Sequence, residues 1–193
     1  MDYIKKEKLI PLWPNNPINS TNISESEFPE KYIFPSGRQA LTHCLSHAGL
    51  SRKNRVAIPE WSSHCVVSAV GKIADPIPMQ EVLAHNLDVK AVLIYDQWGW
   101  PVFNNSYKHL ESRFSNKILI HDQVDTSNIV WYSDNAINEK KYSNYKSVYQ
   151  IFSLSKTLGL SGGGIARKNE KWLEPLIDKN QEDLIGSLDK LKN

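Results

Sequence analysis

Four short apolar runs decide most of what this chain can become: Val56-Ala-Ile58, Ala91-Val-Leu-Ile-Tyr95, Lys117-Ile-Leu-Ile-His121 and Val148 to Leu154. A continuous apolar run of this length fits a strand buried on both faces, because a half-exposed strand would alternate with polar residues. Helical periodicity fills much of the intervening sequence. Ser36-Gly37 opens a helix with Ala40, Leu41, Cys44, Leu45 and Ala48 on one face, ending near Gly49. Residues 62 to 73 read as a second helix, with Val66, Val67, Val70 and Ile73 inward, and residues 106 to 114 as a third. Gly163 to Arg167 reads as a further strand, and 169 to 191 as mostly helical. Short apolar strands alternating with helices predict the α/β class, with a mainly parallel sheet and helices on both faces.

Composition narrows the partners. The chain has 193 residues, enough for one large domain, and 40% are hydrophobic, enough for a packed core. Its 23 basic and 21 acidic residues leave a formal charge of +2, so there is no electrostatic case for nucleic acid. No apolar run reaches the ~18 residues of a membrane span. Lys5, Lys6 and Lys8 lead into Pro11 and Pro14 instead of an apolar stretch, so no secretory leader is read there. Cys44 and Cys65 do not make a disulfide scaffold, and the expected compartment is the reducing cytoplasm. Residues 1 to 33 hold four prolines and many Asn and Ser, and read as an extended arm before a domain that begins at residue 34.

Open α/β sheets bind ligands at the carboxyl ends of their strands. That rule gathers Ser36-Gly37-Arg38 at a helix start, Trp61 and His64 after Ile58, Asp96 after Tyr95, Asp122 after His121, and Ser153 and Lys156 at the end of the last long strand. The last of these carries the most chemistry. In Ser153-Leu-Ser155-Lys156-Thr-Leu-Gly159-Leu-Ser161-Gly162-Gly163-Gly164 a lysine is delivered at a strand end into a glycine-rich turn. Desolvation there lowers a lysine pKa and makes the amine a nucleophile toward an aldehyde. The chemistry suggested is a Schiff base with a carbonyl cofactor, as in the anchoring of pyridoxal 5'-phosphate (PLP). Two alternatives stand beside it: a solvated loop lysine, and a phosphate-binding lysine. The Walker pattern needs glycines before the lysine, and here they follow it.

The order of these segments resembles PLP-dependent enzymes of fold type I, in particular the DegT/DnrJ family of sugar aminotransferases. Pro35-Ser36-Gly37-Arg38-Gln39-Ala40-Leu41 is similar to a family segment whose backbone amides, at a helix start, hold the cofactor phosphate. Val56 to Cys65 resembles the stretch that supplies an aromatic ring to stack on the pyridine, with Trp61 and His64 both candidates. Ile118 to Gln123 is similar to the family's Ile-Glu-Asp, which makes Asp122 the partner of the pyridine nitrogen. Ser153, three residues before Lys156, matches a phosphate-binding hydroxyl, and the glycines after Lys156 match as well. Asp96 to Pro101 resembles a Gly-x-Pro turn after a central strand. These matches cover about residues 34 to 167.

Two features depart from the family. Asp125 stands where a Gln or His usually lies near the cofactor's phenolic oxygen, and a second carboxylate there is unfavourable unless protonated or paired. Only 37 residues follow Lys156, so the sequence looks like a large domain, truncated after the lysine segment, with the small C-terminal domain missing. The resemblance implies an aminotransferase in which Lys156 and Asp122 are catalytic. Ser36, Gly37, Arg38, Trp61, His64 and Ser153 would help bind PLP. It also implies a small-molecule amino donor, a nucleotide-linked keto sugar as acceptor, and a homodimer or a complex with a chain supplying the missing half. Two readings from other classes remain: a non-catalytic PLP-fold partner subunit, and a nucleotide-binding protein using Ser161 to Gly164 as a phosphate loop.

Overall fold

Alternation along the buried strands sorts the core into two layers. Val56, Ile58, Ala91, Leu93, Ile118, Ile120, Tyr149 and Ile151 turn to one face of a sheet, while Ala57, Val92, Ile94, Leu119 and Val148 turn to the other. Period-two alternation with both sides apolar requires cover on both sides. Helices α1 (Gly37–His47) and α2 (His64–Gly71) cover the first face through Leu41, Cys44, Leu45, Ala69 and Val70. Helices α3 (Met79–Ala84) and α4 (Lys108–Arg113) cover the second, with Met79, Val82, Leu110 and the following Phe114 inward. The computed structural model describes residues 33–96, 108–126, 142–158, 162–169 and 171–175.

The strands are β1 (Arg55–Ile58), β2 (Asp75–Pro78), β3 (Ala91–Tyr95), β4 (Ile118–Asp122), β5 (Ser147–Ser153), β6 (Gly164–Lys168) and β7 (Lys171–Trp172). They form one sheet in the order β2-β1-β3-β4-β5-β6-β7. The first five pair in parallel, and β6 and β7 run antiparallel. The mainly parallel α/β sheet with helices on both faces is therefore as expected.

Three local readings needed correction. The strand read as Val148 to Leu154 ends at Ser153, and a short helix α5 (Leu154–Leu158) begins at once. The helix expected from 169 begins instead as strand: Asn169 turns at φ +51°, its Oδ1 accepts from the Val148 N–H at 3.0 Å, and Lys171–Trp172 folds back on β6. Residues 176 to 191 of that expectation lie outside the described residues, as do residues 1 to 32 of the expected arm and residues 97 to 101 of the expected turn. Strand β2 was not read at all. Its sequence, Asp75-Pro-Ile-Pro78, carries two prolines, and these are tolerated because β2 is an edge strand.

Candidate functional site

The carboxyl ends of β1, β3, β4 and β5 open on a cleft of about 410 Å³, bounded on one side by the start of α1. That volume is within the range of small-ligand sites. Ser36, Gly37, Arg38, Trp61, Asp96, Asp122, Ser153 and Lys156 all line it.

Ser36 caps α1. Its backbone is extended, its Oγ accepts from the Gln39 N–H at 3.2 Å, and its carbonyl accepts from the Ala40 N–H at 3.0 Å. The Gly37 and Arg38 amides have no partner among the described residues. With no acidic side chain in the first turn, the helix start is electropositive and open to an anion. Strand β6 fixes its position. Phe34 and Gly164 exchange backbone hydrogen bonds of 2.7 and 2.8 Å, and the Gly163 N–H donates to the Pro35 carbonyl at 2.9 Å. A Cβ on Gly164 would stand 2.6 Å from Gly37 N and from the Ser36 carbonyl carbon, so this approach requires glycine. The same bonds count against the phosphate-loop reading. The amides of Gly163 and Gly164 are already engaged, and a loop of that kind needs them free.

Lys156 is not the desolvated strand-end lysine the sequence suggested. Leu154 is fully buried, its N–H donating to the Gly163 carbonyl at 3.1 Å, and the helical turn that follows brings Lys156 to the open side. The lysine side chain is 56% exposed, and its Nζ donates to Asp125 Oδ1 at 2.5 Å. Asp125, itself 30% exposed, is thus a paired carboxylate, which is the condition its position demanded. Ser153 Oγ shares a hydrogen bond of 3.0 Å with Ser155 Oγ.

Asp122 is buried at the end of β4, its Oδ1 accepting from the Val124 N–H at 3.0 Å. Burial pushes its pKa up to about 6; the Val124 hydrogen bond opposes the shift and the Asp125 charge adds to it. A carboxyl in this state favours a cationic partner that would restore its charge. Asp96, also buried, accepts from His121 Nε2 at 2.9 Å and from Gln123 Nε2 at 3.2 Å.

The structure separates the two aromatic candidates. Trp61 lines the cleft and is 82% exposed at its mouth. His64 lies outside it, in a neighbouring groove between α1 and α2 that Ser36 and Arg38 also line. Tyr95 and Val124 line the cleft and were not singled out from the sequence. Tyr95 was within reach, since it is the last residue of β3 and alternation sets it on the α1 face with Leu93.

Residues 22–175 match a family model described as "Putative PLP-dependent aminotransferase". Solved structures with the same fold include a DegT DnrJ EryC1 StrS aminotransferase from Brucella abortus, at 17% identity and a TM-score of 0.51, covering 81% of this chain and 44% of that one. Another is the "Putative sugar aminotransferase Spr1654" from Streptococcus pneumoniae in its PLP form, at 13% identity and a TM-score of 0.51, covering 82% and 45%. The chain spans less than half the length of either structure. No curated protein matches it. Among the described residues no helix is long and apolar enough to cross a membrane, and no His, Cys, Asp and Glu group could hold a metal ion.

Proposed function

We propose, from the premise that this chain belongs to the family of PLP-dependent aminotransferases whose model it matches over residues 22–175, that its cleft holds PLP and that Lys156 is the residue that carries the cofactor. The observation that supports this reading is one of convergence. An exposed amine, a buried carboxyl that favours a cation, and two helix-start amides with no partner among the described residues line one cleft of about 410 Å³. An aldehyde, a protonated ring nitrogen and a phosphate are the three groups such a donor set suits, and PLP carries all three.

When bound, PLP supplies an aldehyde that takes up amines and a ring that withdraws electrons from the bond being broken. The chain's part is to bind, orient and move protons. The Gly37 and Arg38 amides, with Ser36 and Ser153, hold the phosphate. Asp122 accepts the proton-bearing ring nitrogen as hydrogen-bond donor and so keeps that proton in place. Trp61 borders the cleft as the candidate ring neighbour; His64, outside the cleft, supports no stacking role. Lys156 would hold the cofactor through Nζ, an amine that becomes nucleophilic once its ammonium proton has passed to Asp125 or solvent, and the same nitrogen would serve to move a proton at the substrate carbon.

The amino acceptor is a keto sugar linked to a nucleotide, with an amino acid such as glutamate as donor; the resemblance to sugar aminotransferases supports this choice. Trp61, exposed at the cleft mouth, is the kind of apolar surface that a second chain covers, which supports a homodimer or a complex. A monomer that loads PLP and transaminates unaided would remove that part.

Reductive trapping tests the core of the reading. Borohydride treatment of the chain with PLP should leave the modification on Lys156, located by peptide mass, and Lys156→Ala should abolish it. Trapping at another lysine, or none in a folded sample, would reject the assignment.

A further inference from the structure

Lys156 is tied to a turn that is itself held at several points. Asp122 Oδ1 accepts from the Val124 N–H at 3.0 Å, and the Gln123 carbonyl accepts from both the N–H and the hydroxyl of Thr126, each at 3.1 Å. The Gln123 N–H donates to the Ile151 carbonyl on β5 at 2.8 Å. Asp125 sits inside this frame, so its carboxylate is a fixed point on the cleft wall. Lys156 comes to it from α5 on a flexible four-carbon stem. Asp125 Oδ1, at 2.5 Å, is the only hydrogen-bond partner of Nζ among the described residues. The lysine side chain is 56% exposed and has open water as its alternative, so the pair is what turns the amine toward the wall.

The charges around the pair bear on its effect. Arg38, Cys65, Tyr95, Asp96 and Asp122 are the other ionisable side chains that line the cleft. Three carboxyls thus stand there with the cations Lys156 and Arg38. Burial raises the Asp122 pKa, and both members of the pair act on it as well, the Asp125 charge adding to the rise and the Lys156 charge opposing it. A carboxylate in contact with an amine favours the ammonium, and an ammonium has no lone pair with which to attack an aldehyde. A neutral amide in place of the carboxylate would exert no such hold. Asp125 is also the residue at which the sequence departs from the family resemblance, so the hold belongs to this chain.

We propose that Asp125 is a positioning residue that latches Lys156: while the cleft is empty, its carboxylate keeps Nζ protonated and turned to the cleft wall, and the amine reacts only when the pair opens. Reaction with an aldehyde is then paced by a contact between residues 31 apart in sequence. The latch stands on the geometry of the ion pair, and its bearing on cofactor loading rests on the PLP reading.

The test is a brief pulse of acetic anhydride on the cofactor-free chain at pH 7, with each lysine read by peptide mass and the exposed Lys53 as reference. Relative to Lys53, Lys156 should react about threefold more slowly in the wild type than in Asp125→Asn, the scale of a partly exposed ion pair. Asparagine keeps the side-chain volume and loses only the charge, and Asp125→Glu should restore the slow rate. Raising salt to about 1 M should speed Lys156 in the wild type and leave it unchanged in Asp125→Asn. The wild type carries the salt comparison by itself if a variant folds poorly. Equal rates in wild type and Asp125→Asn overturn the proposal, as does an Asp125→Glu chain as fast as Asp125→Asn, or a wild type whose rate ignores salt. In a second measurement, a borohydride-quenched time course, Asp125→Asn should capture PLP about threefold faster than wild type, with the product still on Lys156. Equal capture rates would remove the bearing on loading. Failure of the wild type to trap PLP would instead reject the cofactor reading, and the acylation rates would still decide the latch.

Discussion

The floor and the rim of the cleft are built on different principles. The floor, Asp96 and Asp122, is buried, and each carboxylate has a donor placed by the sheet register or by the turn after β4. The rim, Lys156, Asp125 and Trp61, is exposed, and its one ion pair joins the turn after β4 to the short helix α5. Water screens the rim pair, so it is expected to contribute under about 1 kcal/mol to stability. No such screening reaches the floor, where each charge is tied to the folding free energy. The difference teaches where to look for each effect: rim substitutions should change chemistry and spare the fold, and floor substitutions should change both.

Lys156→Ala is the sharpest test of that contrast. It should abolish covalent PLP capture while leaving the thermal midpoint of the cofactor-free chain within about 2 °C of wild type, as expected for a surface substitution. A large loss of stability would mean that the rim helps hold the fold, and the comparison would break.

Gly164→Ala comes next, and attacks the support beneath the floor. Its Cβ would press on the Ser36–Gly37 backbone at 2.6 Å, so a destabilisation of about 3 kcal/mol in denaturant unfolding is expected, with loss of PLP binding. A variant as stable as wild type would show that the α1 start can move away from β6.

A middle-sized effect belongs to Asp122. Burial pushes its folded pKa up to about 6, above the ordinary carboxylate value. A raised carboxyl pKa means that the folded state holds the proton more tightly than the unfolded one. Its contribution is therefore fully present below pH 4 and is lost as pH rises through 6. Asp122→Asn should remove that loss and make the cofactor-free chain about 2 kcal/mol more stable at pH 7, yet weaken PLP binding. Equal stability of the two proteins from pH 4 to 7 would contradict a desolvated Asp122.

Asp125→Asn should have the smallest effect, a stability change under about 1 kcal/mol that shrinks further in high salt. It should leave trapping at Lys156 intact. A salt-independent loss of several degrees in the thermal midpoint would place Asp125 with the floor.

The sequence by itself determined the elements whose signals are local. The runs at 56–58, 91–95 and 118–121 became strands because uninterrupted apolar residues have few other stable arrangements, and Ser36 marked a helix start because its hydroxyl reaches an amide three residues on. The strand-end rule also gathers Ser36, Asp96, Asp122, Ser153 and Lys156, and these five line one cleft in the fold. What the tertiary structure alone decided are the relations between distant segments. The turn of α5 and the burial of Leu154 set the exposure of Lys156, and its partner lies 31 residues away in sequence. Trp61 and His64, three residues apart on one short segment, are divided between the cleft and a groove, His64 opening α2 and Trp61 lying in the turn before it. Hydrogen bonds join Arg167 on β6, Gln150 on β5, and Gln123 and Asp96 just beyond β4 and β3, and in sequence the two glutamines look like ordinary polar residues. Local propensity depends on neighbours a few residues away, whereas charge, burial and hydrogen-bond polarity depend on what the fold brings within a few ångströms.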